Sequence, residues 1–204
     1  MVYYAIVFRF IPAFIIFDTH WNKPSFVSYS RRGDKGEHVT SFQNQLLELI
    51  PRLRRFAVAL TGNLADGDDL LQAAVERALR RRETFDRSLR MDSWIFKIAQ
   101  NIWIDQKRSE KRRGQSVDID DQTDLAGDDG RVHLEQRQMT RKVLEAIAAL
   151  PEQQRLVVGH VLVDGKSYSE AADCLGVPIG TVMSRLSRAR KTLEAEVLGT
   201  EAIQ

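Results

Sequence analysis

The feature that most limits what this chain can fold into is a central stretch with almost nothing to bury. Residues 114–137 carry Gly114, Gly127 and Gly130 together with Asp118, Asp120, Asp121, Asp124, Asp128 and Asp129, and few large apolar side chains. Burying such a segment returns too little hydrophobic free energy to offset the ~1–2 kcal/mol per residue lost in fixing its backbone, so a flexible acidic linker is expected there. Each flank must therefore build its own core. The whole chain has 204 residues, so each flank is small, and a domain of about 60 residues buries only ~60% of the surface its unfolded chain exposes. Modules of that kind are suited to docking on a larger partner.

In the first flank, Leu46, Ile50, Leu53, Ala57 and Leu60 recur at helical spacing, and Gly62 and Asn63 end the pattern. Asp66, Asp68 and Asp69 then crowd the start of a second helix, where carboxylates cap free amides and meet the positive end of the helix dipole. Its inward side is read as Leu70, Leu71, Ala74, Val75, Ala78 and Leu79. A third helix is expected from about Asp92 to Arg113, with Trp94, Ile95, Ile98, Ala99 and Ile102 inward.

The second flank opens with Val143, Leu144, Ile147 and Leu150, and Pro151 sits where a further helix, Gln153 to Val163, would begin. Gly165 breaks it. Ser167-Tyr168-Ser169-Glu170 has the S-x-x-E pattern of a capping box, opening a short helix through Leu175. Gly176-Val177-Pro178 turns the chain into a last helix, from about Ile179 to Val197, with Val182, Leu186, Ala189 and Leu193 inward. A short helix, a tight turn and a basic-faced helix make a helix-turn-helix. The fold class read from these patterns is all-α: two small helical domains, residues 41–113 and 138–198, joined by the acidic linker and followed by a tail at 199–204.

The net charge is only +2, but the charges are sorted. Lys107, Arg108, Lys111, Arg112 and Arg113 end the third helix, the aspartates follow, and Arg185, Arg188, Arg190 and Lys191 cluster near the end. Two basic regions around an acidic middle point to two polyanion-binding modules and a connector. In the last helix, Thr181, Ser184, Ser187 and Arg188, with Arg185 beside them, follow the order a major-groove helix needs: small polar groups for base edges, then cations for phosphates. At the end of the third helix the cations stand near Trp94, Phe96 and Trp103, a combination that suits a separated strand whose bases can stack on rings, although Trp94 is expected to be core.

Several classes of function are disfavoured. Cys174 is the only cysteine, so there is no internal disulfide framework and no multi-cysteine metal site, and a reducing cytoplasm fits. His133 and His160 lack a second ligand at metal spacing, so no metal or other cofactor is expected. Neither a phosphate-binding glycine loop nor an activated nucleophile is present, which argues against an enzyme. Met1 to Phe17 is apolar but interrupted by Arg9 and Pro12, and it falls short of the ~20 apolar residues of a membrane span. No stable membrane insertion is expected. Residues 1–40 are read as an irregular extension, with 1 to about 38 a leader translated from a misplaced start and Val39 the initiator; the alternative is a membrane-surface anchor.

With these residues in place, the chain resembles the extracytoplasmic-function sigma factors. Asp69-Leu70-Leu71-Gln72, then Trp94-Ile95-Phe96-Lys97-Ile98-Ala99-Gln100-Asn101 with Asp105 and Arg108, is similar to their second conserved region. Leu150-Pro151 with Gln154-Arg155, Tyr168-Ser169-Glu170-Ala171-Ala172, and Gly176 through Arg185 are similar to the fourth. Together the motifs cover residues 41 to 198 in the family's order.

The resemblance implies that the first module docks on the largest subunit of core RNA polymerase through Asp69 and Gln72, with Ala73 departing from the acidic residue often found there. It implies that a loop after the third helix takes a base of the minus-10 element out of the stack. Asn101 would stand at the start of that loop, with Lys107, Arg108, Lys111 and Arg112 on the adjoining phosphates. Ser184, Ser187 and Arg188 match positions that read the minus-35 element, flanked by Thr181 and Arg185, while Met183 stands where some members carry a basic residue. The implied partners are core RNA polymerase, promoter DNA and an anti-sigma protein covering both modules, and the linker would thread toward the RNA path. Two other readings stay open on the residues alone: a helix-turn-helix regulator acting without polymerase, and a structural DNA-binding protein.

Overall fold

The computed structural model describes residues 42–86, 88–114 and 131–199, with no side-chain description at 131–137 and 198. The expected leader and the aspartate-rich stretch 115–130 lie outside the described residues, as does the side chain of His133. Among the described residues there is no strand. The helices are α1 (Phe42–Thr61), α2 (Leu64–Arg80), α3 (Met91–Arg113), α4 (Arg131–Ala149), α5 (Glu152–Val158), α6 (Tyr168–Leu175) and α7 (Ile179–Leu198). A 3-10 turn at Arg82–Thr84 precedes α3, and a π turn at Gly159–Val163 prolongs α5.

The linker expectation needs one correction. Residues 131–137, assigned to the linker for want of apolar side chains, are the first turns of α4. Leu, Glu, Gln and Arg there are good helix formers, so helix propensity supports the element where the sequence offers few apolar residues.

Helices α1, α2 and α3 enclose one apolar cluster, with Leu46, Leu53, Phe56 and Leu60 meeting Leu70, Ala74, Ala78, Ile95, Phe96 and Ile102. Asn63 caps α2 by accepting the Asp66 amide at 2.8 Å. Gly67 lets α1 and α2 approach closely, since a Cβ there would lie 2.5 Å from Val58 Cγ2. Some inward assignments shift. Leu79 is exposed, and Trp94, like Leu71 and Val75, is half-buried and packed against the rim of the cluster, in edge contact with Phe42 and tilted against Phe85. The second cluster joins Val143 and Ile147 of α4 and Leu150 just after it to Val157 and Val158 of α5, and to Val182, Leu186, Ala189 and Leu193 of α7.

The two clusters meet along a seam. Leu156 of α5 belongs to the first cluster and Ala59 of α1 to the second. Gly159 brings the α5 backbone so close to α1 that an added Cβ would lie 2.9 Å from the Phe56 ring. The widened turn after it then delivers three polar side chains. His160, wholly buried, donates through Nε2 to Gln100 Oε1 at 3.0 Å and packs on Phe56. Asp164 accepts two hydrogen bonds from the Arg52 guanidinium, at 3.1 and 2.8 Å. Lys166 lies 2.9 Å from Asp164 and 3.6 Å from Asp92, over the face of Phe96. Asp164 and Lys166 are 0% and 3% exposed, so this is an interior charge network. Burial pushes the Asp164 carboxyl above its usual range against the pull of Lys166 and Arg52. For Asp92, burial is outweighed by the Arg90 hydrogen bond and the Lys166 and Arg90 charges, and its pKa is lowered. Arg90 also donates to Glu170 at 2.6 Å. Arg155 completes the seam, donating to the Leu60 carbonyl at 3.0 Å and to the carbonyls of Leu150 and Ala148. It thereby satisfies carbonyls left unpaired near the ends of α1 and α4.

Candidate nucleic-acid interface

The caps around the turn between α6 and α7 set the position of the last helix. Ser167 accepts the Glu170 amide at 3.2 Å while the Glu170 carboxylate accepts from the Ser167 amide at 3.0 Å, so both halves of the expected capping box are present. Hydrogen bonding to Ser167 and the Arg90 contact hold Glu170 below the usual carboxylate range. Gly176 ends α6 in the left-handed region at φ +66°, where a side chain would be strained. Pro178 then caps α7, its carbonyl accepting from Thr181 at 2.8 Å.

Because Val182, Leu186, Ala189 and Leu193 face the core, α7 turns Gly180, Met183, Ser184, Ser187, Arg188 and Lys191 to solvent. Of the expected minus-35 residues, Ser184, Ser187 and Arg188 share this outer stripe, and Thr181 and Arg185 are half-buried along its edge. The Ser184 hydroxyl donates to the Thr181 carbonyl at 3.1 Å, which uses its one proton and leaves its oxygen as an acceptor. An exposed helix face of hydroxyls and guanidinium groups can meet base edges and phosphates in a major groove.

The third helix offers a second surface. Lys97, Asn101, Asp105, Arg108 and Arg112 are exposed and spaced three or four residues apart, so they line one face of α3. Lys111 is exposed beside them, and Lys107 is half-buried and paired with Glu110 at 2.7 Å. Asn101 lies in the middle of α3 and not at the start of a loop as the resemblance implied: the helix is continuous from Met91 to Arg113 because Ile98, Ala99, Ile102 and Trp103 pack on both sides of that point. The rings are also redistributed. Phe96 and Trp103 are buried, Trp103 beneath the Arg155 guanidinium at 5.6 Å, so Trp94 alone of the three reaches the surface.

On α2, Asp69 and Gln72 are exposed. Gln72 donates to Glu76 at 3.2 Å, and Glu76 accepts from Arg80 at 2.8 Å. The neighbouring Asp68 accepts from Nε and Nη2 of Arg54, at 2.6 and 2.9 Å, and the hydrogen bonding lowers its pKa. No group of three His, Cys, Asp or Glu side chains among the described residues is placed to hold a metal ion, and no helix among them is long and apolar enough to cross a membrane. The residues that sequence reasoning missed are those of the seam: Arg52, Gln100, Arg155, His160, Asp164 and Lys166. The signals were Arg155 and Asp164 at the two borders of the run 156–163 and His160 inside it.

Comparison with known proteins agrees with this arrangement. The Sigma-70 region 4 family matches residues 140–193, and the Sigma2 domain of PhyR matches residues 46–100. The ECF RNA polymerase sigma factor EcfG of Rhodopseudomonas palustris is 33% identical over 156 residues, covering 76% of this chain and 84% of that protein. The RNA polymerase sigma factor HrpL of Pseudomonas syringae is 35% identical over 151 residues, covering 72% and 82%. Among solved structures, the sigma factor RpoE of Bartonella quintana, bound to the anti-sigma factor NepR, is 28% identical with a TM-score of 0.66, covering 79% of this chain and 99% of that one. The chain belongs to the ECF family of RNA polymerase sigma factors, alternative sigma factors that direct promoter recognition.

Proposed function

We propose that the two modules divide promoter recognition between them: the outer face of α7 reads the minus-35 element, and the Asn101 face of α3 takes the minus-10 element and favours strand opening. The observation that carries this reading is the outer stripe of α7, where Ser184, Ser187 and Arg188 stand together behind a capped helix and a tight turn. Lys107, Arg108, Lys111 and Arg112 serve the phosphates next to Asn101, and Thr181 and Arg185 border the upstream contact. Asp69 and Gln72 of α2 are the contacts to core RNA polymerase. Residues 41–113 and 138–198 act as the two modules. The chain works in the cytoplasm, without catalytic chemistry or a cofactor of its own. RpoE of Bartonella quintana was solved with an anti-sigma factor, and by that likeness an anti-sigma protein is the inhibitory partner here.

The division of labour is tested with Asn101→Ala and Arg188→Ala in holoenzyme on two templates, one duplex and one pre-melted across the minus-10 region. Pre-melting is expected to restore initiation to Asn101→Ala and not to Arg188→Ala, with polymerase binding intact in both. Equal rescue of the two variants, or loss of polymerase binding by Asn101→Ala, would overturn the assignment.

A further inference from the structure

The outer stripe of α7 contains a side chain that neither hydrogen-bonds nor carries charge. Met183 is 53% exposed, and Ile179, one turn earlier, is 49% exposed. The other large apolar side chains exposed among the described residues, Leu47, Leu79, Leu89 and Met139, stand singly in sequence, as is common on protein surfaces. Ile179 and Met183 are a helical i, i+4 pair on the first turns of the reading helix. Neither belongs to the core cluster, to which Val182, Leu186, Ala189 and Leu193 contribute from the opposite side of the helix. Gly180 lies in the same stripe, and a Cβ there would meet nothing within 4 Å. The backbone at this point therefore adds no bulk of its own and can come close to a surface opposite.

A major groove presents few apolar features at its base edges. Donors and acceptors line it, and in unmodified DNA the C5-methyl group of thymine is the apolar mark that distinguishes a base there. Methionine suits that target, because its unbranched, polarisable side chain adapts to an irregular apolar contact. We propose that Met183, supported by Ile179, is a specificity-determining residue that reads a thymine methyl group in the upstream promoter element. This rests on α7 being the upstream reader. It adds that one position of the element is chosen by apolar contact alongside the polar and cationic contacts of Ser184, Ser187 and Arg188. A cation at position 183 would instead grip phosphate, so the apolar residue exchanges general affinity for discrimination.

The test uses holoenzyme made from core RNA polymerase and the full chain. The upstream element is first defined by selecting initiating promoters from a randomised pool, and each thymine in it is then replaced by uracil, which removes only the methyl group. With the unaltered chain, one replacement is expected to weaken binding two- to fourfold, the value of about one buried methyl group. With Met183→Ala that penalty should vanish while the thermal melting of the protein is unchanged. Met183→Lys should lose the penalty too, and steepen the dependence of log affinity on log salt by about one unit. A uracil scan that is silent at every thymine, or a penalty that persists in Met183→Ala, overturns the proposal. Arg188→Ala is run in parallel: if it loses upstream recognition while the scan is silent, α7 remains the reader and the methyl contact alone is wrong. If Arg188→Ala is also without effect, the reading beneath the proposal fails.

Discussion

Charged side chains are used in opposite ways in the seam and on α7. In the seam, Asp164 and Lys166 are buried against one another, with Arg52 and Asp92 at their edges. On α7, Arg188 and Lys191 project into solvent. Removing charges from water costs several kcal/mol per ion, and their attraction repays this only when the geometry is good, so a buried network selects one arrangement more than it adds stability. Exposed cations incur no such cost and stay available to an external polyanion. The difference separates the residues that fix how the two halves sit together from those left free for a partner. Sequence alone marks only half of that separation: helical period puts Arg188 on the outer side of its helix, and nothing local marks Asp164 and Lys166 as buried.

The comparison is broken most forcefully in the seam. Asp164→Ala leaves Lys166 buried, with Asp92 the remaining carboxylate at 3.6 Å, and a loss of ~3–5 kcal/mol in urea unfolding is expected. A loss below about 1 kcal/mol, the range of exposed pairs, would show that the site is hydrated in solution. On the outer face the expectation inverts. Arg188→Ala should leave unfolding unchanged and cost ~1–3 kcal/mol of upstream-element discrimination. A destabilised Arg188→Ala protein would place that guanidinium in the fold's own packing.

A pH series sharpens the contrast. His160 has its pKa lowered to about 3 by burial and, secondarily, by the Lys166 charge, from an ordinary value of 6.5. The unfolded chain takes up a proton near 6.5 that the folded chain refuses until about 3. Stability from this group is therefore complete above pH 6.5 and falls as the pH drops below it, by up to ~1.4 kcal/mol per unit. Unfolding measured between pH 7 and 5.5 should show that slope in the native sequence and a flatter one in His160→Gln. Identical slopes would mean that the ring is solvated. The smallest effect belongs to the exposed pair of Arg54 and Asp68, where Arg54→Ala should cost less than ~1 kcal/mol in unfolding despite its two short hydrogen bonds.

Local features of the fold were legible in advance. The S-x-x-E sequence at Ser167 produced a complete capping box, and the inward stripe of α7 was assigned residue by residue, because both depend on neighbours within a turn or two. The solvent-facing stripe of α7 followed as the complement of that packing face. What stayed hidden depends on distant parts of the chain. Helical period says that a face is buried without saying against what, so nothing local marks Asp164 as the partner of Arg52, 112 positions away. The same holds for Trp103, whose spacing suits a core or a stacking platform equally until Arg155 is seen over its ring. The implied loop at Asn101 failed for a related reason, since the packing of α3 on both sides of it keeps the helix continuous.

The role in transcription is tested most directly by run-off transcription with purified core RNA polymerase, with and without the full chain, on promoters drawn from a randomised pool. Core enzyme alone should give no promoter-selective product, and adding the chain should produce transcripts from a restricted set sharing two spaced elements. A transcript pattern that the chain leaves unaltered, together with equally specific binding of the chain to the same duplexes in the absence of polymerase, would contradict its working as a sigma subunit.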